Sequence, residues 1–459
     1  MRHHRPAWLL LPTVLMLATG CASVQPAADY GRASDYAGAV AAFDSSFVGA
    51  LGEQPKIEDQ IAGLLADGVD VEEAVQIALL NNKDLQAAFY DIGISRADVV
   101  QSGLLSNPAL GAALRFRNGD GEATLEARLA WNLVDLWDRP ARKRVQEQRL
   151  ERTVLNVAHD SAQLAAQTRA AYVAAVAAEG ARLVEEENLA STGEFLELTL
   201  VRQAAGAATG AEANTARAEH LEQEVRLRSA RLREFEKKLR LGTLLGLEVG
   251  PEELALSSPL ASPPNTSFDV EALMASAVTH RLDLRAAREN MRAIESEVSL
   301  EKRLFLRELR AGVEFESRGD EREIGPALDM ELPLFDRNSA QVTRAELRHQ
   351  QAQTTLDALT VATHQQVRAA HARLASTLET ARAYREDITP LRESSLELAQ
   401  EAFRAGKTGF LSVLEAQKRL LAARRDANMW AERSALMLIE LEAVCGRPLG
   451  ALVNEAQAR

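Results

Sequence analysis

Aromatic residues are scarce in this chain: Phe, Trp and Tyr make up 5% of 459 positions. So few rings make a bulky globular core hard to build. Alanine supplies much of the 46% apolar share, and such a composition suits thin, closely packed helices. A basic excess is also missing. Lys and Arg total 53 against 66 Asp and Glu, a formal charge of -13. That argues against nucleic acid as a partner, because phosphate binding needs a net basic surface. Beyond the N-terminus there is no run of ~20 uninterrupted apolar residues, so no membrane-spanning helix is available. There is no nucleophile elbow, no phosphate loop and no convincing carboxylate pair, so the chain reads as no enzyme and no cofactor is expected. His364 and His371 lie seven apart with no cysteine or second cluster nearby. They read as surface residues, and no metal site is expected.

The only cysteines are Cys21 and Cys445. Arg2 and Arg5 form a basic start, Ala7 to Leu17 an apolar run too short to span a bilayer comfortably, and Leu17-Ala18-Thr19-Gly20-Cys21 a small-residue box. The pattern is that of a bacterial lipoprotein signal. Residues 1–20 would be removed, leaving Cys21 as a lipidated first residue of an unstructured extension, 21–69. An ordinary signal peptide with an incidental cysteine is the plainer reading. Ala22, not aspartate, follows the cysteine, so no inner-membrane retention signal is present.

The remainder is one unit written twice. Asp70-Val71-Glu72 returns as Asp269-Val270-Glu271, and Asp84-Leu85-Gln86-Ala87-Ala88 as Asp283-Leu284-Arg285-Ala286-Ala287. Trp137-Asp138-Arg139 returns as Phe335-Asp336-Arg337, and Ala205-Gly206 as Ala405-Gly406. The shifts stay between 198 and 200, which sets repeat one at 70–256, a linker at 257–268, repeat two at 269–446 and a tail at 447–459. Each repeat opens at an N-cap, Asp70 with Glu73 three residues on making a capping box. Two alternating segments follow, then a long helix, a glycine turn and a second long helix.

The first long helix is expected from about Pro140 to Ala204, ~95 Å at 1.5 Å per residue. Val154, Val157, Ser161, Leu164, Thr168, Ala171, Ala175 and Ala178 form a heptad seam of mostly small knobs. Periodicity alone also allows a soluble coiled-coil rod. The alternating segments point elsewhere. Leu110, Ala112, Leu114 and Phe116 alternate with Gly111, Ala113, Arg115 and Arg117. After Asn118-Gly119-Asp120-Gly121, Leu125, Ala127, Leu129 and Trp131 alternate with Glu126, Arg128 and Ala130. In repeat two, Leu309, Ala311, Val313 and Phe315 alternate with Arg310, Gly312, Glu314 and Glu316, and Pro326, Leu328, Met330 and Leu332 with Ala327, Asp329 and Glu331. Period two predicts strands. Their length approaches the ~9–11 residues that cross a bilayer at a tilt. The apolar side would face lipid and the charged side a water-filled lumen. Two half-buried surface hairpins are the alternative. Four strands cannot close a barrel, and an open edge cannot sit in lipid. Three chains would supply twelve.

Taken in order, these features resemble the TolC-like outer-membrane efflux proteins over roughly Val69 to Gly446. The openings Val71–Ala88 and Val270–Ala287, the junction Leu332-Pro333-Leu334-Phe335-Asp336-Arg337-Asn338, and Phe403 to Phe410 leading into Val413-Leu414-Glu415-Ala416-Gln417 carry the likeness. The resemblance implies a homotrimer in the outer membrane of a Gram-negative bacterium, with a shared twelve-stranded barrel above an α-helical tunnel. It implies as partners outer-membrane lipid, a periplasmic adaptor and an inner-membrane pump, of the proton-driven RND type. Carried over by position, Gly206, Gly210, Gly406 and Gly409 fall at the periplasmic turns, with Arg404, Lys407 and Thr408 as adaptor contacts. Glu415 matches one acidic position that narrows the tunnel; Ser412 departs from the other. Arg115, Arg117, Glu126, Arg128, Glu314, Glu316, Asp329 and Glu331 would line the barrel lumen. Leu332 to Asn338 looks more like the heavy-metal-resistance (CzcC-like) branch than the drug-efflux branch. The cargo stays open between small molecules and metal cations. A protein-secretion exit duct and a periplasmic coiled-coil structural or adaptor lipoprotein are the alternatives.

Overall fold

The structure is a computed structural model and describes residues 23–41, 54–116, 123–248, 250, 254–258, 268–306 and 308–450. Cys21, Arg117, the Asn118–Gly121 turn, most of the linker and the end of the tail lie outside the described residues.

The repeat is visible as element order. After α1 (Ala27–Ala41) and α2 (Gln54–Leu65), repeat one holds α3 (Val71–Asn81), α4 (Lys83–Ser102), β1 (Ala109–Phe116), β2 (Ala123–Asn132), α5 (Val134–Ala204) and α6 (Gly210–Leu245). Repeat two holds α7 (Val270–His280), α8 (Leu282–Glu301), β3 (Leu309–Arg318), β4 (Glu321–Met330), α9 (Ser339–Arg382), α10 (Thr389–Arg404) and α11 (Phe410–Cys445). The short helices match at 11 and 20 residues, and the last helices at 36. Asp70 caps α3 with the full capping box: its carboxylate accepts from the Glu73 N–H and Glu73 accepts from the Asp70 N–H. Asp269 caps α7. Both final helices stop at a left-handed glycine, Gly246 (φ 66°) and Gly446 (φ 66°). A Cβ at Gly246 would stand 2.8 Å from the Asn81 carbonyl oxygen. Only glycine suits both the angle and the space. The Asn81 and Asn82 side chains donate to the Leu245, Gly246 and Leu244 carbonyls left open by the helix end.

The compact units do not follow the repeats. One takes residues 90–153 and 288–353 with the segment up to Asp29; the other takes 30–89, 154–287 and the chain from Thr354 on. In the first unit the strands form one antiparallel sheet, order β1-β2-β3-β4, so the two hairpins of the two repeats pair through β2 and β3. Arg149 and Arg348 both reach Glu297, at 2.7 and 3.2 Å. In the second unit the expected seam is buried from Val154 to Ala175, with Ala178 half-buried. Leu155, Ala158, Ala165, Tyr172, Ala174 and Ala177 are buried too. The helix therefore buries a broad face instead of a single coiled-coil stripe.

Four expectations are corrected. The extension 21–69 is not unstructured: α1 is helical, and its Ala37 packs with Leu155, Ala158, Leu282 and Ala286. Small residues every fourth position let it lie close on its neighbours. The first long helix starts at Val134, with Pro140 inside it; seven residues in, Pro140 has no N–H to give the Leu136 carbonyl. Trp137-Asp138-Arg139 is thus helical, whereas Phe335-Asp336-Arg337 is not, and the repeats part here. Asn338, which stands where repeat one has Pro140, takes φ 64°. It is buried, and its amide donates to the Glu301 backbone and side-chain oxygens at 2.8 and 2.7 Å. Lastly, the long helix of repeat two is interrupted by a π-helical turn, Ala383–Ile388, just before Pro390, which has no N–H for an α-type bond.

Candidate functional site

The sheet sorts its side chains along the paired rows, apart from Ser317 and Arg322 at the outer end of the apolar face. Directly opposed residues share a face. Leu110 faces Leu129, which faces Val313, which faces Pro326; Ala112, Ala127, Phe315 and Ile324 form the next row; Trp131, Ala311 and Leu328 another. The intervening rows run Gly111, Arg128, Glu314, Gly325, then Ala113, Glu126, Glu316, Glu323, then Asn132, Arg310, Asp329. One face is apolar and the other charged. Leu110, Leu114, Phe116, Leu129, Val313, Ile324 and Leu328 are exposed, so nothing in the described chain covers the apolar face. On the charged face Arg115 pairs with Glu126 at 2.9 Å, Arg318 with Glu316 at 3.1 Å, and Arg128 with Asp329. Glu331 follows β4, its N–H on the Glu308 carbonyl at 3.2 Å. β1 and β4 each keep one unpaired edge within the chain.

The helical turns are built alike. Gly206 (φ 74°) and Gly406 (φ 70°) are both left-handed. Ala207 N–H bonds Arg202 O and Gly206 N–H bonds Gln203 O; Lys407 to Ala402 and Gly406 to Phe403 repeat the pattern. This is the Schellman closure, for which glycine at the turn is the natural residue. Gly210 and Gly409 flank the same turns but are built differently. Gly210 is already the first residue of α6, and Gly409 caps α11 in an extended conformation any residue adopts. Their glycines are not required by backbone angle. The two turns meet: the Arg202 guanidinium lies 4.4 Å from the Phe403 ring centroid. Phe195, Leu196 and Phe403 pack against Ala216 and Leu414. Arg404 and Lys407 are exposed and Thr408 is half-buried. Glu415 is exposed, with Arg419 at 2.7 Å.

Residues 273–447 match the family model described as outer membrane efflux protein. The match falls on the second repeat and covers 175 of the 459 residues. The fold extends over the first repeat as well. The outer membrane channel CmeC of Campylobacter jejuni superposes with a TM-score of 0.68 at 17% identity, covering 90% of this chain and 92% of its own. The outer membrane protein VceC of Vibrio cholerae gives 0.68 at 18%, covering 82% and 96%. The MtrE outer membrane channel of Neisseria gonorrhoeae, in its open state, gives 0.67 at 18%, covering 83% and 89%. At these identities the likeness is one of fold. No curated protein matches the sequence.

One group had no signal in the sequence. Glu185 of α5, Gln223 of α6 and Arg425 of α11 converge at a buried point of the second unit. Arg425 Nε and Nη2 reach the two Glu185 oxygens at 2.5 and 3.0 Å, and Arg425 Nη2 reaches Gln223 Oε1 at 3.1 Å. Gln223 is 1% exposed and also donates to Glu185. Burial pushes the Glu185 carboxyl up, but hydrogen bonds from Arg425 and Gln223 and the Arg425 charge outweigh it, holding the carboxyl below the usual range. Polar residues 38 and 240 positions apart carry no periodic mark, so only packing reveals them. His371, read as a surface residue, instead bonds the Phe268 carbonyl at 3.0 Å. Among the described residues no three His, Cys, Asp or Glu converge as metal ligands, and no helix is long and apolar enough to cross a membrane.

Proposed function

We propose that the chain is one subunit of a trimeric outer-membrane exit duct serving a tripartite efflux pump. The observation that carries this is the four-stranded sheet with one bare apolar face, one charged face and two open edges. A bare apolar face of this extent needs a partner. Lipid fits it, because apolar residues alternate with charged ones along every strand. In hydrocarbon each edge must be paired, and β1 of one chain can pair with β4 of the next. Three chains would close twelve strands.

The charged face then lines water. Its strand positions hold six carboxylates, Glu126, Glu314, Glu316, Glu321, Glu323 and Asp329, and four guanidinium groups, Arg115, Arg128, Arg310 and Arg318. The excess of two carboxylates per chain favours cations in the pore. The Gly206 and Gly406 turns form the periplasmic end, where Arg404, Lys407 and Thr408 face an adaptor. Glu415 narrows the tunnel there. Cys21 carries a lipid anchor that supplements the barrel. Cargo selection belongs to the inner-membrane pump, and metal cations or small molecules fit this duct equally.

The test is reconstitution. Protein purified in detergent should weigh three subunits and give cation-preferring channels in a planar bilayer. Leu328→Arg should abolish insertion at a cost of about 2–4 kcal/mol near the midplane, while Glu316→Gln should insert and lose cation preference. Monomeric protein without conductance would sink the duct.

A further inference from the structure

We infer that the loop after β4, Leu332 to Arg337, is a membrane foot that rests in the phospholipid headgroup layer at the periplasmic side of the barrel. The inference builds on the lipid-facing sheet. Leu332 continues the alternation of Ile324, Pro326, Leu328 and Met330 past the end of the strand and is exposed. Leu334 N–H then closes onto the Leu332 carbonyl at 2.8 Å, a three-residue turn about Pro333. That turn carries Leu334 and Phe335 outward. Phe335 is 101% exposed, with its whole ring free of the chain. Few features of a folded surface cost as much as a bare phenyl ring next to a bare leucine.

The loop is held, not loose. Buried Asn338 pins its far end to Glu301 through two hydrogen bonds, and the Asn338 N–H bonds the Asp336 carboxylate at 2.9 Å. Repeat one has no such loop, because the matching Trp137-Asp138-Arg139 is helical.

The chemistry suits a headgroup layer. Ile324 to Leu332 spans eight residue steps, ~27 Å along the strand and ~20 Å in depth at a 40–45° tilt. Arg322 marks the outer end of the apolar face, in row with Leu125 and Ser317. Phe335 therefore falls just past the periplasmic end of the band, where aromatic rings settle at the interface. Arg337 beside it is exposed and makes no ion pair among the described residues, so a lipid phosphate can meet it. A neighbouring subunit is a poorer occupant: it would pair with the β4 edge, at right angles to the side on which Leu332 stands.

The experiment places an environment-sensitive NBD probe on Phe335→Cys or on Leu328→Cys in the full chain, reconstituted in phosphatidylcholine–phosphatidylglycerol vesicles. The unmodified chain gives the background, since Cys445 is buried. Spin-labelled lipids carry the quencher at a shallow or a deep acyl position. Both probes should lose intensity, position 335 more to the shallow quencher and position 328 more to the deep one. Quenching at 328 with none at 335 would overturn the foot and leave the barrel standing. A blue-shifted but unquenched 335 probe would put a second copy over the loop and overturn it equally. No quenching at either position would remove the barrel and the foot with it.

Discussion

Gly312 offers the sharpest test of how the two repeats are joined. It stands in β3 opposite Ala130, in the ladder that unites the hairpins. A Cβ added there would overlap the Leu129 carbonyl oxygen and stand 2.9 Å from the Ala130 Cα. Both are backbone atoms of β2, so no side chain can swing aside. Gly312→Ala must push two hydrogen-bonded strands apart. Overpacking typically costs about 1–3 kcal/mol, and this case belongs at the upper end. In the proposed trimer three subunits carry three such defects, on the order of 3–9 kcal/mol in all if they act independently. At roughly 2–4 °C per kcal/mol for a domain of 150–250 residues, the midpoint should fall by several degrees. Gly111→Ala is the control: it lies on the same face in β1 and has nothing within 4 Å of its new Cβ. The assay follows gel-resistant trimer through a temperature series, with strand content by circular dichroism. Parental melting of Gly312→Ala would refute the close approach of β2 and β3.

Three further outcomes follow from the same kind of reasoning. Arg425→Met leaves Glu185 buried without its cation and should destabilise by about 3 kcal/mol in thermal melts; pairing it with Glu185→Met should recover part of the loss. Because the Glu185 carboxyl is held below its unfolded value, its contribution is present above pH ~4.3 and lost as pH falls through the folded value; melts of the parent and of the double variant should converge there. Asn338→Ala gives up both the left-handed angle and the bonds to Glu301, costing about 1–3 kcal/mol, whereas Asn338→Gly should cost less because it keeps the angle. Gly406→Val should strain the turn and weaken adaptor binding while trimers still form; with Glu415→Ala expected to raise leak conductance, normal binding and parental conductance together would move the docking surface and constriction elsewhere.

The sequence revealed most where a physical rule has a short period. Alternation placed Leu110 to Trp131 and Leu309 to Met330 on correct faces, because a strand inverts its side chains at every step. Gly206 and Gly406 were legible because a helix reversal needs a positive angle. Gly210 and Gly409 sit beside the same turns without needing the angle, since proximity to a turn does not impose it. The α1 helix was missed because Asp29, Gly31, Ser34 and Asp35 read as polar loop; its alanine face gains helix stability only by tertiary packing. The Glu185–Gln223–Arg425 group joins helices of both repeats, and no local pattern encodes it.

The two helical turns close alike but reopen differently. Thr209 begins α6 with a full capping box against Glu212, while Gly409 begins α11 with no side-chain cap. Glycine in place of threonine at a cap costs a few tenths of a kcal/mol, roughly 0.4. Amide protons in the first turn of α11 should therefore exchange with solvent roughly twofold faster than their counterparts in α6. Six chemically similar hairpin ends in a trimer would then alternate between a tight and a loose kind around the ring. Fraying at the mouth would start at three points, not six.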